Sequence, residues 1–344
     1  MTRRAHFPAM SPGRWLAVGA VVLLIALLPL ATSSQYIISV SITALILLVL
    51  NTSWNFVLGV AGVWNFGQLA IYALGGYGAG LIMLHTPVPA WLAVLGGGVA
   101  AGLFSIVLAF PTLRLYGIYT SLLTFSFAQV IQLVIVNDNT GITGSTYGFP
   151  SVSGLYPNLS PLAQNRAYYW TVLAVVVACT VAVALISRSK LGIALRTIRD
   201  APSYAAARGV SPLRYRIYAF AISGFMAGVA GGLYMSYYQS MTPSVMGLTP
   251  MSVDVTMLVI GGLGTIFGPV LGTSLLTIIQ TLLVDYPGIE LTILGAVLLV
   301  IVVFVPGGLV GLIARARRRL TAWVSEDDGA GPPAAAEADA RAMA

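Results

Sequence analysis

The sequence predicts an all-α fold, a polytopic bundle of about ten transmembrane helices (eight to ten), and two observations support that prediction. Hydrophobic residues make up 58% of the 344 residues, and charged residues only 8%, whereas soluble domains carry about 25% charged residues. Apolar stretches also recur along the whole chain, with most of the charged residues between them. A chain with so few charged side chains cannot cover a water-soluble globule, so its helices are expected to face lipid.

Ten apolar stretches are candidate membrane helices, because a hydrocarbon core about 30 Å thick takes roughly 20 helical residues. They cover approximately residues 15–32, 36–58, 66–84, 90–110, 116–136, 168–187, 214–237, 252–266, 269–284 and 290–313. The eighth and ninth share the glycine-rich segment VIGGLGTIFGPVLGT. This segment predicts either two short helices or one re-entrant hairpin, which sets the uncertainty in the number of spans.

The basic residues predict the orientation, since Lys and Arg are retained in short cytoplasmic loops. If ten spans begin inside, 16 of the 17 basic residues lie on the cytoplasmic side, and only Arg166 lies outside. Residues 1–14 then form a cytoplasmic N-terminus, residues 15–313 the transmembrane domain, and residues 314–344 a basic and then disordered cytoplasmic tail. The N-terminus also has features of a cleavable signal, but its apolar stretch is long for one and favours a retained helix.

The composition argues against several classes of protein. The net charge of +7 comes from loops between apolar runs, so no nucleic-acid partner is predicted. Cys179 is the only cysteine, and His6 and His85 are far apart, so no metal site is predicted. The only lysine, Lys190, follows a serine and not the glycine of a phosphate-binding loop. No catalytic residues, cofactor or ATP site are therefore expected on this chain.

Two loops are long enough to carry function. The outer loop, residues 137–167, is rich in Gly, Asn, Ser and Pro with interspersed aromatic rings, and it is either a connector or a docking surface for a soluble partner. The inner loop, residues 188–213, contains RDAPSYAAARGV, in which Asp200 predicts a helix N-cap, Pro202 the first turn and Gly209 the C-cap. Such a short helix between arginines fits either the groove of a partner protein or the headgroup layer of a membrane.

This inner segment, within ALRTIRDAPSYAAARGVSPLRYRIYAFAISGFMAGVAGGLY, resembles the M-type permease subunits of branched-chain amino-acid ABC importers. The segments NFVLGVAGVWNFGQLAIYALGGYGAGLI, LRLYGIYTSLLTFSFAQVIQLVI, TGITGSTYGF and GGLGTIFGPVLGT are similar to further motifs of that family. The chain departs from the family pattern at Trp64 and Asn65, where smaller or different residues are usual.

The resemblance implies a permease in the bacterial inner membrane that carries branched-chain or related hydrophobic amino acids, with urea or short amides as the alternative cargo. It also implies four partners besides the lipid bilayer. A second, homologous permease subunit completes the pore, two cytoplasmic ABC ATPases hydrolyse ATP, and a periplasmic substrate-binding protein delivers the cargo. The helix in the inner loop is then the coupling helix that engages an ATPase.

Two sets of candidate residues follow. The residues expected to couple to the ATPase are Arg196, Arg199, Asp200, Ala205, Ala206 and Gly209. The residues expected along the substrate pathway are polar residues and glycines in or beside the spans: Asn55, Gly59, Gly62, Asn65, Gln68, Thr124, Gln129, Asp254, Gly261, Gly262 and Gly264.

Glycine-interrupted helices in both halves of a transporter indicate a transport path, and close helix packing is the alternative for each glycine. Asp254 lies either within the membrane, where a carboxyl is costly and typically functional, or at its outer interface. An ion-coupled secondary transporter usually has several intramembrane charges. Because this chain offers at most Asp254, the sequence favours the ABC permease.

Overall fold

The computed structural model describes residues 34–284, apart from positions 113, 116, 150 and 151, together with residues 29, 32, 292–293, 295–296, 299 and 308–312. The first and last predicted spans and both predicted terminal segments lie outside the described residues, apart from these few positions. Every regular element in the described part of the chain is helical, in agreement with the predicted all-α class.

Ten α-helices lie within residues 34–284. They are α1 Gln35–Asn55, α2 Gln68–His85, α3 Ala90–Thr112, α4 Ile118–Val136, α5 Pro161–Arg188, α6 Lys190–Asp200, α7 Pro202–Ala207, α8 Pro212–Tyr238, α9 Leu248–Gly261 and α10 Gly268–Leu283. A π-helical turn, Phe56–Val60, continues α1, and 3-10 turns lie at Ser145–Tyr147 and Pro243–Met246.

Five of the described helices are long and apolar enough to cross a membrane: α1 with its π-helical turn, α3, α4, α5 and α8. The sequence also predicts spans at α2, α9 and α10, and helices lie there at nearly the expected positions. The eighth and ninth stretches form two separate short helices of 14 and 16 residues. The protein is thus a multi-helix membrane bundle, and the number of ten spans stays a prediction.

The centre of the bundle depends on glycines. A Cβ placed at Gly75 of α2 would lie 2.2 Å from the Cα of Gly228 in α8, and one at Gly97 of α3 would lie 2.2 Å from the Gly75 carbonyl oxygen. A Cβ at Gly231 would lie 1.9 Å from the carbonyl oxygen of Tyr72. Only glycine lets the backbones of α2, α3 and α8 approach this closely, which is the usual packing device of membrane helices.

Two further packing layers lie outside this centre. α1 packs against α5, α8 and α10, and α9 and α10 pack against each other. A Cβ at Gly272 would lie 1.8 Å from the carbonyl oxygen of Met257, so the two short helices also touch backbone to backbone.

Contacts between loops occur at two ends of the bundle. At one end, the outer loop is joined to the segment after α8, where the Phe149 N–H donates to the Met241 carbonyl at 2.8 Å and the Val152 N–H to the Gln239 carbonyl at 3.2 Å. At the other end, residues 59–62, α6 and residues 262–264 are in contact. These contacts join the outer loop to the segment after α8, and the inner loop to residues 59–62.

The inner loop folds as two helices, and the predicted N-cap at Asp200 is wrong. Asp200 is the last residue of α6, and Ala201, with φ −151° and ψ 78°, precedes α7 without a side-chain cap. The reason is that a residue before proline is pushed out of the helical region, so Pro202 forces the break at Ala201.

The predicted C-cap of the inner-loop helix is confirmed. Gly209 has φ +78°. Its N–H donates to the Ala206 carbonyl at 3.0 Å, and the Val210 N–H donates to the Ala205 carbonyl at 3.0 Å. This pair of bonds is a Schellman motif, which ends α7.

Candidate coupling and transport sites

Helix α6 attaches the inner loop to the bundle. Its apolar face is covered by the rest of the protein, with Leu195 and Ile198 fully buried. A Cβ at Gly192 would lie 2.4 Å from the carbonyl oxygen of Ile186, so α6 packs closely against the end of α5. The apolar face of α6 is therefore used for packing within the chain and is not available to lipid.

Arg196 fastens α6 to α5. Its Nη2 donates to the Ser187 carbonyl at 2.5 Å, and its Nε donates to the Gly192 carbonyl at 3.2 Å. Partial burial, and then the neighbouring Arg199, lower the pKa of the Arg196 guanidinium from its ordinary value. Arg196 thus binds the Ser187 carbonyl, one of those that the end of α5 leaves without a helical partner.

Arg199 fastens α6 to the end of α1. Its Nη1 donates to the Gly59 carbonyl, and its Nε donates to Oδ1 of Asp200 at 2.8 Å. The aliphatic part of the side chain covers Gly62, where a Cβ would lie 2.2 Å from Cγ of Arg199. The Arg199 side chain is 24% exposed and that of Asp200 is 65% exposed, so the arginine is directed toward the bundle and the aspartate toward the surface.

Helix α7 exposes one face at the end of the bundle. Tyr204 is 55% exposed while Ala205 is buried, and the Arg208 guanidinium lies 5.3 Å from the centre of the Tyr204 ring, within cation–π range. Among the six predicted coupling residues, Asp200, Ala206 and Gly209 are exposed. Arg196, Arg199 and Ala205 face their own chain. Contact of these residues with an ATPase stays a prediction.

The helix break after α1, residues 56–62, contacts the helix break between α9 and α10, residues 262–267. These are called the first and the second break. The Gly264 N–H donates to Oδ1 of Asn55 at 2.8 Å, and Nδ2 of Asn55 donates to the Thr265 carbonyl at 2.8 Å. A Cβ at Gly59 would lie 2.3 Å from the Cα of Gly264. The segment between α9 and α10 turns through Gly262 at φ +110° and Gly264 at φ +74°, a region that favours glycine.

Two more predicted pathway glycines support these breaks. Gly62 has φ +71° where the chain leaves the π-helical turn. A Cβ at Gly261 would lie 1.9 Å from the carbonyl oxygen of Gly268. The sequence correctly indicated that helices break or approach closely at these glycines, and the structure adds that the first break packs on the second.

A second cluster of predicted pathway residues forms a closed hydrogen-bond network in the core. Nδ2 of Asn65 donates to Oε1 of Gln68 at 2.9 Å, and Nε2 of Gln68 donates to Oγ of Ser53 at 2.9 Å and to Oγ of Ser223 at 2.8 Å. All four side chains are buried. The network joins α1, α2 and α8, and it satisfies polar groups for which the membrane interior supplies no water.

Thr124 and Gln129 lie apart from both clusters, on α4. Oγ1 of Thr124 accepts the Phe66 N–H at 3.0 Å and so fixes the segment before α2. Nε2 of Gln129 reaches the Met246 carbonyl at 3.5 Å. Both side chains therefore bond to backbone groups that α4 packs against.

Asp254 is buried in the middle of α9, with 4% of its surface exposed, and its depth in the membrane stays a prediction. Nearby, Nδ2 of Asn51 donates to Oγ1 of Thr273 at 3.0 Å and lies 3.3 Å from Sδ of Met257, also on α9. The sequence reasoning missed Asn51 and Thr273, as it missed Ser53 and Ser223. All four could have been found in the same way, because each is a polar residue inside an apolar stretch of the sequence.

A small cavity opens beside the first break. It has a volume of about 60 Å³ and is lined by Gly62, Val63, Trp64, Thr112, Leu115, Gly117, Thr120 and Arg216. Ligand pockets typically measure about 300–1,000 Å³. Trp64, which departs from the family pattern, thus lines a cavity that is smaller than a typical ligand pocket.

Apolar helices packed through glycines, with paired helix breaks and a structured inner loop, define a multi-pass α-helical membrane protein with the features of a transport permease. The family of branched-chain amino acid transport system permease components matches residues 12–306. The chain belongs to this family.

Curated relatives include both types of permease subunit. The high-affinity branched-chain amino acid transport system permease protein LivM of Escherichia coli K12 is 26% identical over 314 residues, which cover 83% of this chain and 74% of the relative. The corresponding LivH protein of the same organism is 24% identical over 277 residues, covering 75% and 89%. A probable LivH of Methanocaldococcus jannaschii is 34% identical over 102 residues, covering 30% and 32%. No solved structure gives a significant match.

Proposed function

We propose that this chain is one of two homologous permease subunits of an ATP-driven importer and forms half of the pathway for branched-chain or related hydrophobic amino acids. It crosses the bacterial inner membrane ten times with both termini in the cytoplasm. Two partner ATPases hydrolyse the ATP, a division of labour supported by the lack of a phosphate-binding-loop motif in the sequence. A periplasmic binding protein delivers the substrate to the opposite face.

The observation that carries this proposal is the construction of the inner loop. Helix α7 exposes Tyr204 and Ala206 at the end of the bundle, while Arg196 and Arg199 tie the preceding α6 to α5 and α1. A displacement of α7 by a closing ATPase is therefore passed to membrane helices and not absorbed in a flexible loop. Such a displacement shifts the balance between outward-open and inward-open states.

Two further observations support the partners and the energy source. The chain is similar both to LivM and to LivH proteins, as expected if two related permeases pair. Among the described residues, Asp254 is the one acidic side chain that is buried in the bundle, whereas ion-coupled transporters usually need several intramembrane charges.

The cargo is proposed from the names of the relatives, and an uptake experiment tests it. The chain is reconstituted into vesicles with the second permease, both ATPases and the binding protein, with ATP enclosed in the lumen. We expect ATP-dependent uptake of leucine in excess of urea. Preferential urea uptake would replace the proposed cargo, and leucine uptake driven by a proton or sodium gradient without ATP would overturn the importer itself.

The proposed docking of the ATPases on the exposed face of α7 is tested separately by replacing two exposed tyrosines. Tyr204→Ala alters the exposed face of α7, whereas Tyr147→Ala alters a residue that is 95% exposed in the outer loop. We expect the first variant to lose co-purification of the ATPases and the second to retain it. Equal ATPase recovery with both variants would contradict the assignment of α7.

A further inference from the structure

Arg199 joins three segments that are far apart in the sequence. Its guanidinium binds the Gly59 carbonyl, 140 residues away. Gly59 in turn packs on Gly264, which the Asn55 side chain holds through bonds spanning 209 and 210 residues. A continuous series of contacts therefore runs from the inner loop to the break in α1 and on to the break between α9 and α10.

The π-helical turn explains why the Gly59 carbonyl can accept this bond. In an α-helix the carbonyl of residue 59 accepts the N–H of residue 63. Here the Val63 N–H donates instead to the Val57 carbonyl at 3.1 Å, and the Ala61 N–H donates to the Phe56 carbonyl at 3.2 Å. The widened turn leaves the Gly59 carbonyl to the guanidinium, and such π-helical insertions are frequent at functional sites.

The chemistry of arginine suits this position. One edge of the guanidinium binds the Asp200 carboxylate through Nε at 2.8 Å, while Nη1 points to Gly59. A planar group with five donors makes both contacts at once, whereas the ammonium of lysine is a single point. Gly62 leaves room for the aliphatic part of the side chain, because a Cβ there would lie 2.2–2.9 Å from three of its carbons.

We propose that Arg199 is a positioning residue that transmits the displacement of α6 and α7 to the two helix breaks, residues 56–62 and 262–267, and is not itself a contact of the ATPase. The inference rests on the proposed function. When an ATPase moves α7, Arg199 pulls the Gly59 carbonyl, and Gly59 moves Gly264 because their backbones touch. The sequence placed Arg199 at the ATPase interface, whereas its contacts in the fold are with the permease.

The test uses the complete importer in vesicles and compares Arg199→Met and Arg199→Lys with Lys190→Met. Lys190 is an exposed basic residue at the start of the same helix, so its variant controls for loss of charge. Three quantities are measured for each variant: ATPase co-purification, ATP hydrolysis and leucine uptake. Wild-type uptake is measured first, so a failure of the proposed function is seen before any variant is compared.

For Arg199→Met we expect ATPase co-purification and basal hydrolysis close to wild type, with uptake per ATP hydrolysed lower by about tenfold, within the usual range of coupling between sites. Uptake per ATP by Arg199→Lys should fall between that of Arg199→Met and wild type. Lysine keeps the positive charge but lacks the planar group that binds Asp200 and Gly59 at once. Lys190→Met should match wild type.

Three outcomes would overturn the inference. Loss of ATPase co-purification by folded Arg199→Met would make Arg199 a docking contact. Unchanged uptake per ATP in both Arg199 variants would remove any role in transmission. Failure of both variants to fold would reduce Arg199 to a structural residue.

Discussion

Asn55 and Gly264 are joined across the two halves of the chain, with the Gly264 N–H 2.8 Å from Oδ1 of Asn55. The same side chain donates from Nδ2 to the Thr265 carbonyl at 2.8 Å. One amide side chain thus supplies an acceptor and a donor to the backbone of the segment between α9 and α10. This segment contains two glycines with positive φ, and the Asn55 side chain fixes it to the end of α1.

Replacing Asn55 by alanine should destabilise the protein, because it leaves a buried N–H and a carbonyl without partners. The expected cost is about 1–3 kcal/mol for a buried group left unpaired. Thermal unfolding in detergent measures it. Asn137→Ala is the control, because its Nδ2 makes one exposed bond to the Leu133 carbonyl at the end of α4. Equal losses of thermal stability in the two variants would contradict the role assigned to Asn55.

Gln68→Leu should also lower stability, by about 1–3 kcal/mol, since Ser53, Ser223 and Asn65 would each lose a buried partner. In a double-mutant cycle, Gln68→Leu combined with Ser223→Ala should cost less than the sum of the single variants, because both remove the same bond. Strict additivity would show that the two side chains do not interact. Gln129→Leu is the control, as its bond of 3.5 Å is at the limit of hydrogen bonding.

Two glycines of α2 provide a matched test of the close packing between helices. A Cβ at Gly75 would lie 2.2 Å from the backbone of Gly228, whereas one at Gly78 would meet its nearest atom at 3.6 Å, which is ordinary contact. Gly75→Ala should therefore cost about 1–3 kcal/mol through overpacking. Gly78→Ala should be neutral or stabilise by up to about 1 kcal/mol, because alanine favours the helix. Thermal unfolding of the two variants compares them directly.

The sequence predicted helices better than contacts, for a physical reason. Span positions depend on long apolar runs, and the end of α7 depends on Gly209, so both are local properties. Pro202 also makes the break at Ala201 predictable, since it disfavours a helical residue before it. The sequence pattern predicts an N-cap at Asp200, whereas its carboxyl binds Arg199.

The hydrogen bonds of Arg199 and Asn55 could not be predicted from local sequence. They join residues 140 and about 210 positions apart, and nothing in a single sequence specifies which backbone carbonyl a side chain will meet. Glycine content did indicate where helices break, because a positive φ or a close approach requires it. It did not indicate that the break at Gly59 would pack on the break at Gly264.

The outer loop is expected to loosen in acid because of Asp138. The hydroxyl groups of Thr140 and Thr143, and then the Thr143 N–H, hold the pKa of its carboxyl well below the ordinary value of 3.8. A lowered pKa in the folded state means that the charged form stabilises the loop above pH 3.8 and that this contribution is lost as the pH falls further.

A spin label at Tyr147→Cys in a Cys179→Ala background reports the motion of this loop, since Tyr147 is 95% exposed. We expect constant label mobility from pH 7 to about 4 and rising mobility below that range. Asp138→Asn should be mobile at every pH, because its amide nitrogen cannot accept the Thr143 N–H and hydroxyl that Oδ2 binds at 2.6 and 2.7 Å. The same acid response in the two proteins would show that another group controls the loop.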